Sequence, residues 1–516
     1  MIKRLLNFVE NAQVTFYSWI TAFFSVIFIR IFLENISSKT FSGIIGSDIY
    51  TIVHYYLFYL SVALFFILIL SLFIKDHFVH ISKVILFGMI ITWIPPIIDM
   101  IVSRGKGIGM AYLFQLPIDL ARNFFLFFGA HKMPGITPGI RIEIFLVLIS
   151  VFFYTKWKTK DISKSIFVFL ISYLVLFFLV SLPSFVAFGQ GDVLRFFLNS
   201  IRGSLFEKNF LHQTIRFSSL ERQFEIYFNG AISHIYYFLV FGLSAFLAFL
   251  WNKQKLIAIL KNSRIERVAH YWLMIVLGAI LAIAYINPLV LNCWLDISSL
   301  IILLLSFYFA WMFAVGVNDI ADQKIDFVSN KKRPLIVGTL CESDIKIFNF
   351  FFLIWAILGG FLVGHYALFM IIAFTALYYV YSSPLLQLKR FVILNSFIIS
   401  LCCLSAVFAG FFTVSENSKM SAFPINWLLL IVFVFVLSVN IKDIKDIKGD
   451  RRQSIHTIPV IFGEKKGKKY IGIMFALSFL IVPYFSGLKI LWYISILSAI
   501  IGYYLVNKKV FCEQNI

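Results

Sequence analysis

Apolar runs of roughly twenty residues recur from one end of this chain to the other, each long enough to cross a bilayer as a helix. Backbone in hydrocarbon must satisfy its own hydrogen bonds, so a spanning segment is a helix or part of a closed barrel. The runs are continuous rather than alternating, which selects helices. Of the 516 residues, 61% are hydrophobic and only 14% are charged, more apolar surface than a soluble core could cover. The sequence therefore predicts an all-α, polytopic membrane protein. We read about six spans in the first half, near 14–34, 49–74, 84–103, 141–155, 164–184 and 229–251. About eight follow, near 270–286, 298–317, 345–364, 366–383, 391–412, 425–441, 470–486 and 488–507.

The formal net charge is +20. In a soluble chain this would suggest nucleic acid. Here Lys and Arg sit in short loops between apolar runs, so topology and lipid headgroups account for them and no nucleic-acid partner is expected. The basic loops hold Lys75 and Lys83, then Lys156 to Lys164, then Lys253 to Arg267. Later ones hold Lys331 to Arg333, Lys389 with Arg390, and the run from Lys442 to Lys469. An even number of spans in the first half puts all of these on one face with both termini, and the positive-inside rule makes that face cytoplasmic. The segment 104–140 departs from the pattern, with Arg104, Lys106, Arg122 and Lys132 on the other side. The first span follows Lys3 and Arg4, shows no small-residue cleavage site after it, and is expected to remain as an anchor. Cys293, Cys341, Cys402, Cys403 and Cys512 form neither a metal spacing nor a disulfide framework. The polar, basic stretch 253–268 is expected to link an N-terminal transmembrane domain, 1–252, to a C-terminal one, 269–516.

Acids are scarce, so two clusters stand out. The first is Asn318, Asp319, Asp322 and Asp326; the second is Lys442, Asp443, Asp446 and Asp450. Each has Asp at intervals of three, four and seven, directly after a span. If the preceding helix continues through the first cluster, its three Asp share one face. Facing sets of carboxylates repel unless cations separate them, and hard oxygen ligands suit Mg2+, which commonly bridges to phosphates. Basic residues flank both clusters, among them Arg333, Lys442 and Arg451. Acids for a metal and bases for phosphate oxygens make a diphosphate site, and the apolar bundle beneath would shelter a hydrocarbon tail. Solvated charge at a membrane surface is the plain alternative for either cluster alone.

Residues 266–516 resemble the UbiA superfamily of membrane prenyltransferases. The first motif matches the family pattern NDxxDxxxD and runs on into Arg333-Pro334 and Gly338. The second matches KDxxDxxGD, with Gly449, and continues through Arg451 into Thr457 to Gly463. Between them, Tyr381 to Arg390 is similar to the family's Tyr-Ser-Pro stretch before a Lys-Arg pair. The resemblance implies a bundle of about eight helices around a cavity capped by the motif loops on the cytoplasmic side. It implies that Mg2+, held by Asn318, Asp319, Asp322, Asp326, Asp443, Asp446 and Asp450, binds an isoprenoid diphosphate. Asp319, Asp322, Asp446 and Asp450 would stand at the catalytic centre of a prenyltransferase that passes the allylic group to a small-molecule acceptor and releases pyrophosphate. Arg333, Lys442, Lys389, Arg390 and Arg451 would contact the diphosphate, although a basic pair at 389–390 is also what topology would supply. Tyr378 and Tyr381 would line the cavity, or belong to an interfacial aromatic belt.

No family resemblance covers residues 1–265. The loops 104–140, with a Gly- and Pro-rich end at His131 to Gly139, and 185–228 are longer than connections require. His54, His77 and His80 form no cluster in the sequence, and helix ends explain Asp99 and Asp119 as well as an interior role does. A scaffold that docks a protein partner, a second reaction, or movement of a lipid are the uses open to this half. For the whole chain, a transporter or a non-catalytic scaffold with this fold is the alternative to an enzyme.

Overall fold

The computed structural model describes residues 2–37, 49–105, 112, 117–129, 136–190, 192–211, 220–286, 291, 293–383, 386–415, 419–444, 447, 451 and 455–508. Among these, 13 helices are long and apolar enough to cross a membrane, and Leu491–Asn507 is a shorter apolar one. Six precede residue 262 and the remainder follow, which is the expected division. No strand is present among the described residues beyond a single bridge pairing Phe391 with His456. The protein is an integral, multi-pass membrane protein, and its helices turn large apolar side chains such as Phe145, Phe369 and Tyr493 outward.

The chain divides into two compact units. The first comprises Met1–Gly203 and Ile215–Lys253, the second Ser204–Thr214 and Gln254–Ile516. The long helix Leu220–Lys261 is broken at Asn252, whose φ of −155° and ψ of 88° are extended. Residues 253–268, expected as a linker, are helical except for the turn between Lys261 and Ile265.

In the first unit, the third span carries Pro95 and Pro96. Proline removes an amide and crowds the preceding turn. The chain answers with a 3-10 segment, Met89–Trp93, before a new helix, Ile94–Val102, that takes both prolines in its first turn. Asp99 of that helix is 5% exposed and accepts hydrogen bonds from the Thr137 hydroxyl and from Gly139 N at 2.8 Å. It therefore clamps the start of Pro138–Thr159, where a Cβ on Gly139 would lie 2.5 Å from the Pro95 carbonyl. At the other end of the unit, Lys158 binds both Glu10 and Asp76 at 2.7 Å. The loop 185–228 is not structureless: it holds helices Val193–Ile201 and Leu205–Leu211.

Leu205–Leu211 belongs to the second unit. Leu205 N donates to Asp296 at 2.7 Å, and Asn209 and Lys208 donate to the carbonyls of Thr413 and Val414 at 3.1 Å. The axis of this unit is Val392–Val414, buried along most of its length, whereas Ile425–Ser438 buries only Leu430 and Ile431. Two glycines let Ile265–Tyr285 approach this axis. A Cβ on Gly278 would fall 1.9 Å from the Val407 carbonyl oxygen, and one on Gly410 would fall 2.0 Å from that of Ile275. Small residues facing backbone in this way are how membrane helices gain close van der Waals packing.

Candidate active site

The helix Trp294–Ala321 brings Asn318 and Asp319 to its last turn. It does not continue through the first cluster: Asp322 is its C-cap, and a short helix, Gln323–Ser329, carries Asp326. The break divides the acids between two cations. Asp319 and Asp326, each about 2% exposed, both take the Arg333 guanidinium, Asp319 at 2.6 Å. Asp322 takes Lys389 instead. Arg333 is placed by its neighbour, since Pro334 forces the preceding residue into extended backbone, here φ −65° and ψ 141°.

Asp319 has two further partners that the sequence does not single out. Arg264 donates to it at 2.9 Å and Asn262 at 2.6 Å. Both lie in the turn between two spans, with Arg264 in left-handed backbone at φ 52°. In the sequence Arg264 is indistinguishable from topology-setting charge, and Asn262 from any polar turn residue. Burial pushes the Asp326 carboxyl up to about 6, against the opposing pull of Arg333 and Asn330. Burial, reinforced by the neighbouring Arg333, lowers the Arg264 guanidinium.

The second cluster meets the first at two consecutive residues. Ser382 donates to Asn318 Oδ1 at 3.1 Å, and Lys389 Nζ lies 3.4 Å from the same oxygen. The adjacent Tyr381 hydroxyl receives Lys442 Nζ at 2.7 Å and donates to Asn395 Oδ1 at 3.0 Å, which Lys442 also reaches at 2.9 Å. Asp443 is 5% exposed beside Lys442 in the chain. Asp446, Gly449 and Asp450 lie outside the described residues. Arg390 and Arg451 are exposed, and neither pairs with the clusters among the described residues. Lys389 is buried, 9% exposed, so the basic pair splits into one inward and one outward residue.

Tyr378 is buried one turn before Tyr381. Its hydroxyl shares a hydrogen bond with that of Tyr271, and the rings of Trp311 and Phe374 lie 5.5 and 5.0 Å from its own. Trp311 is seven residues, about 10 Å, up its helix from Asn318. An aromatic layer thus lies directly beneath a layer of paired acids and bases.

The donor set fits a hard divalent cation in kind. Its oxygens are carboxylate and amide, and Arg333 already seats positive charge between Asp319 and Asp326. Among the described residues, however, no three acids, histidines or cysteines converge as ligands around one point. Each acid of the first motif is turned to a protein cation instead.

The model of the UbiA prenyltransferase family matches residues 276–514. The digeranylgeranylglyceryl phosphate synthase of Methanosphaera stadtmanae is 28% identical over 189 residues, covering 36% of this chain and 66% of that protein. The enzyme of the same name from Sulfolobus acidocaldarius is 31% identical over 192 residues, covering 35% of this chain and 65% of its own length. The matched segment thus spans just under two thirds of either relative. A UbiA homolog from Archaeoglobus fulgidus, solved bound to GPP and Mg2+, aligns with a TM-score of 0.40 at 19% identity, over 48% of this chain and 87% of that one. Over residues 276–514, then, the chain is a UbiA prenyltransferase family domain.

Proposed function

We propose that the second unit transfers an isoprenoid group from its diphosphate to a lipid-precursor acceptor, releasing pyrophosphate, with Mg2+ as cofactor. The observation that carries this reading is the junction at Tyr381 and Ser382, which joins the two acidic motifs above an aromatic layer. Asn318, Asp319, Asp322 and Asp326 from the first motif and Asp443, Asp446 and Asp450 from the second are the residues assigned to the metal. When bound there, Mg2+ would neutralise diphosphate oxygens and ease departure of pyrophosphate.

The protein's own groups take the remaining work. Lys389, Arg333 and Lys442 exchange a carboxylate or hydroxyl partner for phosphate oxygens, and so stabilise the charge that grows on the leaving group. Arg390 and Arg451 are outer contacts that guide an anionic headgroup to the site. The rings of Tyr378 and Tyr381 offer π-faces to the electron-poor allylic carbon and keep water from it. The relatives' names suggest that the donor is geranylgeranyl diphosphate and the acceptor a geranylgeranylated glyceryl phosphate. Six spans in the first unit and basic loops after even-numbered spans support cytoplasmic termini and a cytoplasmic site. The division into domains 1–252 and 269–516 is part of the same proposal.

The test is pyrophosphate release by the purified full chain with Mg2+, geranylgeranyl diphosphate and a panel of acceptors, glyceryl phosphate ethers and aromatic acids among them. Release that requires both metal and a glyceryl phosphate ether supports the reading. Release with an aromatic acid alone replaces the acceptor, and none with any acceptor removes the enzymatic reading.

A further inference from the structure

A cavity of about 1250 Å³ lies within the first unit, and no residue of the acidic motifs lines it. It runs lengthwise. Along Ile49–Ile74 its lining extends from His54 to Leu70, and along Pro138–Thr159 from Ile140 to Trp157, about 25 Å of helix in each case. That is most of the depth of a hydrocarbon core, about 30 Å. The walls between are apolar, with Phe66, Ile144 and Val147 among them.

One end is polar. His54, 5% exposed, shares a hydrogen bond with the Tyr112 hydroxyl at 2.7 Å, and Tyr112 donates to Tyr236 at 3.2 Å. The Tyr236 hydroxyl in turn donates to the Leu179 carbonyl at 3.1 Å. This chain of donors ends on backbone and is internally satisfied. Glu143 is different. It lines the same cavity, yet among the described residues its carboxylate makes no hydrogen bond and no ion pair. The guanidinium in its field, Arg30, is 2% exposed and paired with Glu34 at 2.7 Å.

A carboxyl group inside a membrane span is costly to keep without a partner and marks function by default. The missing partner is a hydrogen-bond donor that arrives through the cavity. Of the charged residues that line the cavity, Lys3 is basic and Glu143 and Glu225 are acidic, and an anionic head placed at Glu143 would meet a like charge. A tunnel of membrane depth with apolar walls takes a hydrocarbon chain.

We propose that this cavity binds a long-chain lipid with an uncharged hydroxyl head, whose hydroxyl donates to Glu143 while its chain runs towards Leu70 and Trp157. The proposal does not rest on prenyl transfer by the second unit.

The test uses the full chain in phosphatidylcholine nanodiscs and a photoreactive, diazirine-tagged geranylgeraniol as probe. Crosslinks are expected within 54–70 or 140–157, displaced by excess geranylgeraniol and not by geranylgeranyl diphosphate. Val147 lies one turn from Glu143 on the same face, so Val147→Trp should block the tunnel and abolish the labelling. Glu143→Leu should weaken the probe roughly tenfold, the loss of one hydrogen bond to a charged group, while Glu143→Gln keeps an acceptor and most of the binding. Labelling that excess geranylgeraniol does not displace would mean that bulk bilayer lipid fills the cavity, and overturns the proposal. Equal displacement by the diphosphate overturns the assignment of an uncharged head. Both readings come from the unmutated protein, so they decide even if Val147→Trp fails to fold.

Discussion

Lys442 Nζ donates to the Tyr381 hydroxyl at 2.7 Å and also lies over the same ring, 5.1 Å from its centroid. The tyrosine therefore fixes the ammonium twice, through its oxygen and through its π-face. A lysine is a flexible point charge that loses side-chain entropy when it is ordered, and here that cost is met before any ligand arrives. If Lys442 stabilises the leaving diphosphate, Lys442→Met should lower kcat by about a hundredfold or more. Tyr381→Phe keeps the ring and loses only the hydroxyl, so it should cost about tenfold. Steady-state pyrophosphate release measures both, and equal losses would mean that the lysine acts only while the tyrosine hydroxyl holds it.

Asp322 and Asp446 belong to different motifs. Under the proposed two-motif metal site, Asp322→Asn and Asp446→Asn should each abolish Mg2+-dependent turnover, and Asp322→Asn should also lower the unfolding temperature, because it takes the carboxylate from the buried Lys389. An EDTA-treated parent should lose turnover as they do and recover when Mg2+ is restored. Normal turnover in either variant would remove the two-motif model.

The spans are legible in the sequence because hydrophobicity and length alone specify a membrane helix. The acids at 318–326 and 443–450 stand out because charge is rare beside such helices. What the sequence does not reveal is pairing. Arg264 and Asn262 look like any polar turn between spans, yet they hold Asp319 from 55 and 57 residues away. Asn395 is within reach, since an amide in an otherwise apolar span needs a partner, and Lys442 and Tyr381 supply it. The break at Asp322 is invisible because three-four spacing suits one continuous helix as well as a long helix followed by a short one. Glu143 reads as one acid near a span end, because a cavity is a property of packing between helices and leaves no local pattern.

Arg333 bridges Asp319 and Asp326, both almost fully buried. Removing it leaves two carboxylates facing each other without their shared cation. Arg333→Met should therefore destabilise the chain by about 3 kcal/mol, within the range for breaking a buried pair. Arg333→Lys restores charge but not the planar fork and should recover only part of the loss. Thermal unfolding in detergent, without ligand or metal, reads both. Adding Asp326→Asn to Arg333→Met should regain stability, because it removes the repulsion that the first change exposes. A further loss in the double variant would mean that the bridge is not what holds this turn.

Gly278 and Gly410 face each other's helix backbone across a close approach in the second unit's core, Gly278 towards Val407 and Gly410 towards Ile275. Even a methyl group at either position must part the helices, since a contact of about 2 Å to a carbonyl oxygen lies far inside van der Waals distance. Gly410→Ala and Gly278→Ala should each cost about 1–3 kcal/mol by overpacking. The pair should cost less than the sum of the singles, because one separation of the helices relieves both clashes. Thermal unfolding of the two singles and the double measures this. Full additivity would show that each glycine is accommodated by its own local shift, and that Ile265–Tyr285 does not move against Val392–Val414 as a rigid body.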